Sequence, residues 1–175
     1  MRPPHTTVQD AIYFLTTHCA KGLHPFQNRK ACEAFLSVLR EKQQTFNLRI
    51  YAFVIMPNHT HLLLQMAGET SISKLMNHIN GSSARRINAV LPERQQKIWQ
   101  GGFYDVIVRT SKEFALKVNY IHRNPVQWNL VGRPEEYEFS SAHFFSRTFG
   151  NPLLPGHEFD DFGLMGFLHS VNSVI

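Results

Sequence analysis

An α+β fold built on one antiparallel sheet is predicted by three features of the sequence. Strand-like runs rich in β-branched and aromatic residues alternate with helical apolar stripes, in the order strand, helix, strand, strand, helix, strand, helix. Pro57 and Asn58 lie between the second strand and the third, a pair that signals a hairpin turn. The first six elements follow the ferredoxin-like split βαβ pattern, in which helices pack on one face of the sheet.

The first strand is "AIYFLTTHC" (11–19). "KGLHPFQN" is a loop by its Gly, Pro and Asn. "RKACEAFLSVLREKQQ" (29–44) is a helix with Phe35, Leu36 and Leu39 as its stripe and Asn28 as N-cap. "LRIYAFVIM" (48–56) and "HLLLQM" (61–66) are the hairpin strands. "SISKLMNHI" (71–79) places Ile72, Leu75, Met76 and Ile79 on one helical face, and the helix can run on through "NGSSARRINAV" despite Gly81. "RQQKIWQGG" is a loop and "FYDVIVR" (103–109) the fourth strand. Thr110 and Glu113 form a capping box, opening a helix toward Asn124 that Pro125 is expected to end. Phe114, Ala115, Leu116, Val118 and Ile121 are its expected apolar contacts.

The chain has 175 residues, a length for one domain spanning 1–175. At 43% hydrophobic it can bury a core without disulfides or structural metal. No apolar run reaches the roughly 18 residues of a membrane span, and "MRPPHTTVQD" lacks a signal-peptide core. Cys19 and Cys32 make no CxxC pattern and fit a reducing compartment, so a cytoplasmic protein is expected. Lys plus Arg total 18 against 13 Asp plus Glu, and the excess of +5 leans toward a polyanionic partner such as nucleic acid.

In "MPNHTHLLLQ" (56–65), His59 and His61 are two residues apart and share a face if the third strand starts at the turn. Thr60, Leu62 and Leu64 point the other way, toward the helices. Two neutral imidazoles side by side make a half-site for a divalent metal; two solvent-exposed strand histidines would read identically. In "YIHRNPV", Tyr120 and Asn124 lie four residues apart on one helix face. Tyr120 is either a core residue with a satisfied hydroxyl or a nucleophile. A tyrosine hydroxyl attacks poorly at its ordinary pKa of about 10. A metal that polarises a phosphate would lower that barrier.

"YAFVIMPNHTHLLLQ", "SISKLMNHINGSSARRIN", "IWQGGFYDVIVR" and "YIHRNPVQWNLV" together resemble the single-tyrosine HUH transposases, and within them the REP-associated tyrosine transposase branch. "PEEYEFSSA" is similar to that branch's segment after the tyrosine helix. The resemblance covers about residues 10–145, leaving 146–175 as a C-terminal extension that either caps the core or forms an interface. It implies a ferredoxin-like domain with helices on one sheet face and the histidine–tyrosine site on the other. It implies cutting and rejoining of single-stranded DNA at hairpin ends through a 5′-phosphotyrosine. Tyr120 would be the catalytic nucleophile, with His59, His61 and Asn124 binding Mg²⁺ or Mn²⁺. His122 is a nearby substitute ligand, although at i+2 it should face away from Tyr120. Thr60 departs from the apolar residue usual between the two histidines. Relatives act as monomers or as homodimers, and the sequence leaves both open.

Within that resemblance, Lys74, Asn77, His78, Arg85 and Arg86 on the second helix become candidate phosphate contacts, against a solvated helix face as the plain alternative. Arg123 beside the tyrosine is a further DNA-binding candidate. Trp99 and Phe103 either stack on a base or close the core. A HUH replication or mobilisation nuclease would share this chemistry, usually on a longer chain with a helicase domain or a histidine triad. A histidine-triad nucleotide hydrolase needs a third alternating histidine, and position 63 is Leu. A non-catalytic hairpin-binding protein derived from a transposase would keep the same residues.

Overall fold

The computed structural model describes residues 7–143. The expected C-terminal extension lies outside the described residues. The chain runs β1 (Ile12–His18), α1 (Arg29–Thr45), β2 (Leu48–Met56), β3 (His59–Met66), α2 (Ile72–Val90), β4 (Tyr104–Val108) and α3 (Ser111–Gln127). The four strands form one antiparallel sheet in the order β2-β3-β1-β4, the order the split βαβ pattern requires. Pro57 and Asn58 alone turn the chain between Met56 and His59, which pair across the hairpin.

Alternation sorts the side chains onto two faces. Tyr13 and Leu15 from β1 and Leu62 and Leu64 from β3 join α1 and α2 in a larger core. Asn28 caps α1, its side chain accepting from the Lys30 N–H at 2.9 Å. The second helix does run through Gly81 to Val90. Trp99 is buried in this core against Phe26 and Phe35, donating from Nε1 to Ser83 Oγ at 3.0 Å. Trp99 therefore closes the core, and Phe103 is buried in the same core while also lining the groove on the other side.

The opposite face carries α3. Phe114, Val118 and Ile121 cover Phe14, Tyr51, Val54 and Leu63 in a second apolar cluster, each buried side chain contributing roughly 1.5–3 kcal/mol. The face therefore stays open only where the histidines lie. A register shift between Ile50 and Ala52 makes this possible: Tyr51 and Ala52 both join the α3 side. Leu116 is not an apolar contact as expected; it is 58% exposed, because it falls off the Phe114–Val118–Ile121 stripe.

The expected end of α3 at Asn124 is also corrected. Pro125 lies inside the helix, which continues to Gln127. Proline costs a helix interior about 3 kcal/mol, since it has no N–H for the preceding turn. Here the next turn is closed beyond it. Trp128 N–H donates to the Asn124 carbonyl at 3.1 Å, Asn129 N–H to Val126 at 3.0 Å and Leu130 N–H to Pro125 at 2.9 Å. Asn129 sits at φ 54, completing a Schellman cap.

Residues after α3 cover the β2 edge. Ile55 N–H donates to the Phe139 carbonyl at 2.9 Å and Ser141 N–H to Phe53 at 3.0 Å. His122 is buried beneath this segment, bonded through Nε2 to Ser141 Oγ at 2.8 Å. Burial, reinforced by His143, pushes its pKa down to about 3. The unfolded chain, with a histidine pKa of about 6.5, then binds more protons below neutrality. Stability is full above that value and falls as pH drops toward 3. Urea unfolding is expected to show a midpoint that declines steadily below about pH 6.5. His122→Gln is expected to be about 1–3 kcal/mol less stable at pH 7 but to decline less with acid. An unchanged slope would remove His122 as its source.

Candidate active site

The β1–β3 register builds the site. His59 pairs with His18 and His61 with Thr16, and Thr16 pairs in turn with Tyr104 of β4. These side chains share the α3 side of the sheet, while Thr60 pairs with Thr17, buried on the other side. The threonine between the histidines therefore does not touch the site. Above the strands, α3 presents Lys117, Tyr120, Asn124 and Trp128 at i, i+3, i+7 and i+11 as one wall. Residues 100–104 form the facing wall. Between them is a cavity of about 610 Å³.

The expected pair is brought together with Tyr120. The rings of His59 and His61 are 4.8 Å apart, and the Tyr120 ring lies 5.2 Å from His61 and 5.7 Å from Phe14. Tyr120 is 43% exposed, so it is not a core tyrosine.

Both histidines are buried, not solvent-exposed. Burial first, then the neighbouring His59, His18 and Lys117, pushes the His61 pKa down to about 3. Burial and then His18 push His59 down to about 4, with the nearby Asn124 side chain acting in the opposite direction. Both rings are thus neutral near pH 7. Their partners also orient them. His59 Nδ1 donates to Asn58 Oδ1 at 2.8 Å, which leaves the lone pair on Nε2. His61 Nδ1 bonds Thr16 Oγ1 at 2.8 Å, while Asn124 Nδ2 faces its Nε2 at 3.4 Å. That pattern makes Nε2 the acceptor on His61 as well.

Asn124 is buried, and its Oδ1 has no hydrogen-bond partner. An orphaned carbonyl oxygen beside two imidazole lone pairs is a donor set that fits a divalent cation. Half a turn of the amide exchanges Nδ2 for Oδ1 toward His61. Among the described residues, no three His, Cys, Asp or Glu side chains form a metal cluster. His122 faces away, as its spacing requires, and is engaged by Ser141.

The α2 candidates are not brought to the pocket. Lys74, Asn77, Arg85 and Arg86 are exposed on a helix that packs on the far face of the sheet, and Arg86 is bonded to Glu41 and to Ser37 of α1. His78 packs against Phe46. Arg123 is exposed on α3.

His18, Lys117 and Trp128 are among the pocket residues that sequence reasoning did not single out. His18 stacks on His59 with ring centroids 5.3 Å apart, a contact set by strand register. Lys117 Nζ lies 4.4 Å above the Phe14 ring, three residues before Tyr120 on the same wall. Trp128 lies 5.6 Å from the His59 ring, and expecting the helix to stop at Asn124 hid it.

Residues 9–124 match the family described as "Transposase IS200 like", a span that contains His59, His61, Tyr120 and Asn124. The ISDra2 transposase TnpA of Deinococcus radiodurans is 27% identical over 97 residues, covering 54% of this chain and 69% of that protein. The REP-associated tyrosine transposase of Escherichia coli is 25% identical over 111 residues, covering 63% of this chain and 61% of that protein. A solved structure of a REP-associated tyrosine transposase bound to a REP hairpin matches with a TM-score of 0.73 at 19% identity, over 93% of this chain and 94% of that one. At that identity the likeness shows the fold.

The donor set leads to a direct test. Mn²⁺ titrated into the protein is expected to saturate one site by calorimetry, and His61→Ala to abolish it. Thr16→Val, which frees the His61 ring, is expected to weaken binding about 10- to 100-fold. Equal affinity in His61→Ala and the parent protein would place the metal elsewhere.

Proposed function

The chain belongs to the IS200-like transposase family, and from that premise we propose that it cuts and rejoins single-stranded DNA at hairpin ends with Tyr120 as nucleophile. The observation that carries this reading is the half-exposed Tyr120 ring, 5.2 Å from a buried, neutral His61.

In the proposed reaction, Tyr120 Oη attacks the scissile phosphorus. The new Oη–P bond replaces the P–O3′ bond, the phenolic proton passes to water, and the departing 3′ oxygen takes up a proton. The downstream strand is left on Tyr120 through its 5′ phosphate. A second 3′-hydroxyl then attacks the same phosphorus and displaces Tyr120, which rejoins DNA without ATP. His59 Nε2, His61 Nε2 and Asn124 Oδ1 would hold Mg²⁺ or Mn²⁺, which when bound neutralises phosphate charge and aligns the group for in-line attack. Packing of Ile121 and Val118 holds the Tyr120 wall in place over the strands. All four groups come from one chain, so the reaction as drawn needs no second copy.

A hairpin substrate is supported by the hairpin in the related solved structure. Arg123, exposed one residue before Asn124, is the proposed contact for the scissile strand. Lys74, Asn77 and Arg85 would meet only DNA that passes beyond the pocket to the far side of the sheet. Arg86 is the weakest of the four, since Glu41 and Ser37 already engage it.

Hairpin DNAs labelled at either end, incubated with Mn²⁺ and run on denaturing gels, test the reading. The protein is expected to release a shortened 5′-labelled strand and to retain the 3′ label as a covalent adduct. Tyr120→Phe should lose both by more than about 100-fold. Full activity in Tyr120→Phe would sink the nucleophile. Binding without cleavage, across hairpins and metals, would make the chain a non-catalytic hairpin binder.

A further inference from the structure

We propose that Trp128 is a stacking platform for an unpaired nucleobase next to the scissile phosphate, with Tyr104 on the facing wall of the groove. The inference rests on the strand-cleavage reading above and adds a substrate contact to it.

Exposure singles these residues out. Among the described residues, the large aromatics left exposed are Tyr104 at 56%, Tyr120 at 43% and Trp128 at 57%. All three line the same cavity. Aromatics scattered over a surface need no explanation, but three gathered around one groove do. The other tryptophan, Trp99, is only 5% exposed and has its indole N–H satisfied by Ser83. Trp128 leaves most of its ring to solvent, with one contact at 5.6 Å to His59.

Position says what the ring would meet. Trp128 continues the wall that carries Tyr120 and Asn124 and stands over His59. A strand whose phosphate sits between Tyr120 and the histidines must place a neighbouring base along that wall. The helix is carried past Pro125, and capped by Asn129, at a backbone cost that ends with Trp128 in that place. Tyr104 reaches the groove from the other side, in register with Thr16 and so with His61. Lys117 supplies a cation in the same groove for the backbone. Aromatic faces beside a cation suit single-stranded nucleic acid and tolerate any base, because every base has a π-face.

The test combines abasic DNA with Trp128→Leu in the full chain. In the parent protein, one abasic position adjacent to the scissile phosphate is expected to raise KM about 5- to 100-fold. Trp128→Leu should raise KM on intact DNA by a similar factor, and the two changes together should cost no more than either alone. Trp128→Phe should recover most of the loss. In the Tyr120→Phe background, single-stranded DNA should quench tryptophan emission, and Trp128→Leu should remove that quenching because Trp99 is buried. An abasic penalty that persists undiminished in Trp128→Leu would overturn the proposal. So would a fall in kcat with KM unchanged, which would mean Trp128 only shields His59. If the parent protein cleaves and Trp128→Leu matches it throughout, this inference alone fails. If the parent neither binds nor cleaves single-stranded DNA, the reading beneath it fails too.

Discussion

Seven residues of β1 pair without a break against β3, from Ile12 opposite Gln65 to His18 opposite His59. The whole pocket depends on that ladder. A slip of one residue would send every β3 side chain to the opposite face, placing His59 and His61 among the α1–α2 core and Leu62 and Leu64 under α3. Leucines fill both faces in either register, so it is the cost of burying two imidazoles in the apolar α1–α2 core that opposes the slip. The register in turn aims the imidazoles. The same ladder puts Thr16 within bonding distance of His61 and His18 flat against His59.

The third helix performs two jobs with neighbouring stripes. Phe114, Val118 and Ile121 seat it on Phe14, Tyr51 and Leu63. The adjacent stripe carries Lys117, Tyr120, Asn124 and Trp128 into the groove. A residue can serve only one stripe, which is why His122 ends up under the β2 edge segment and Asn124 beside His61. Pro125 would normally close such a helix, and the Schellman cap around Asn129 lets one more turn form.

Stability and chemistry pull apart inside the groove. Burying two imidazoles keeps them neutral and ready to donate lone pairs, at the expense of solvation. Leaving Asn124 Oδ1 without a partner costs roughly 1–3 kcal/mol, and three large aromatics on the groove walls forgo burial. Asn119 Oδ1 on the same helix and Asn80 Oδ1 on α2 are likewise buried without a hydrogen-bond partner, whereas Ser141 beneath the β2 edge is satisfied. What sets the groove apart is the combination in one place of two buried imidazoles, an orphaned amide oxygen and exposed aromatic rings.

Element order, hairpin and helix caps were legible locally, because periodicity, Pro57-Asn58, Asn28 and Thr110 act within a few residues of themselves. The shared face of His59 and His61 was equally legible, since strand alternation is a property of the backbone alone. The helical spacing of Tyr120 and Asn124 followed for the same reason. Tertiary structure decided what lay across strands or between layers. It placed His18 beside His59 and sealed Trp99 into the core. It kept α2 and its basic residues away from the groove, and it carried α3 past Pro125 to Trp128. Those outcomes turn on which surfaces meet and how well the freed backbone groups are paired, and such contacts join residues far apart in the chain. Local pattern sets what each element can present; packing sets what it faces.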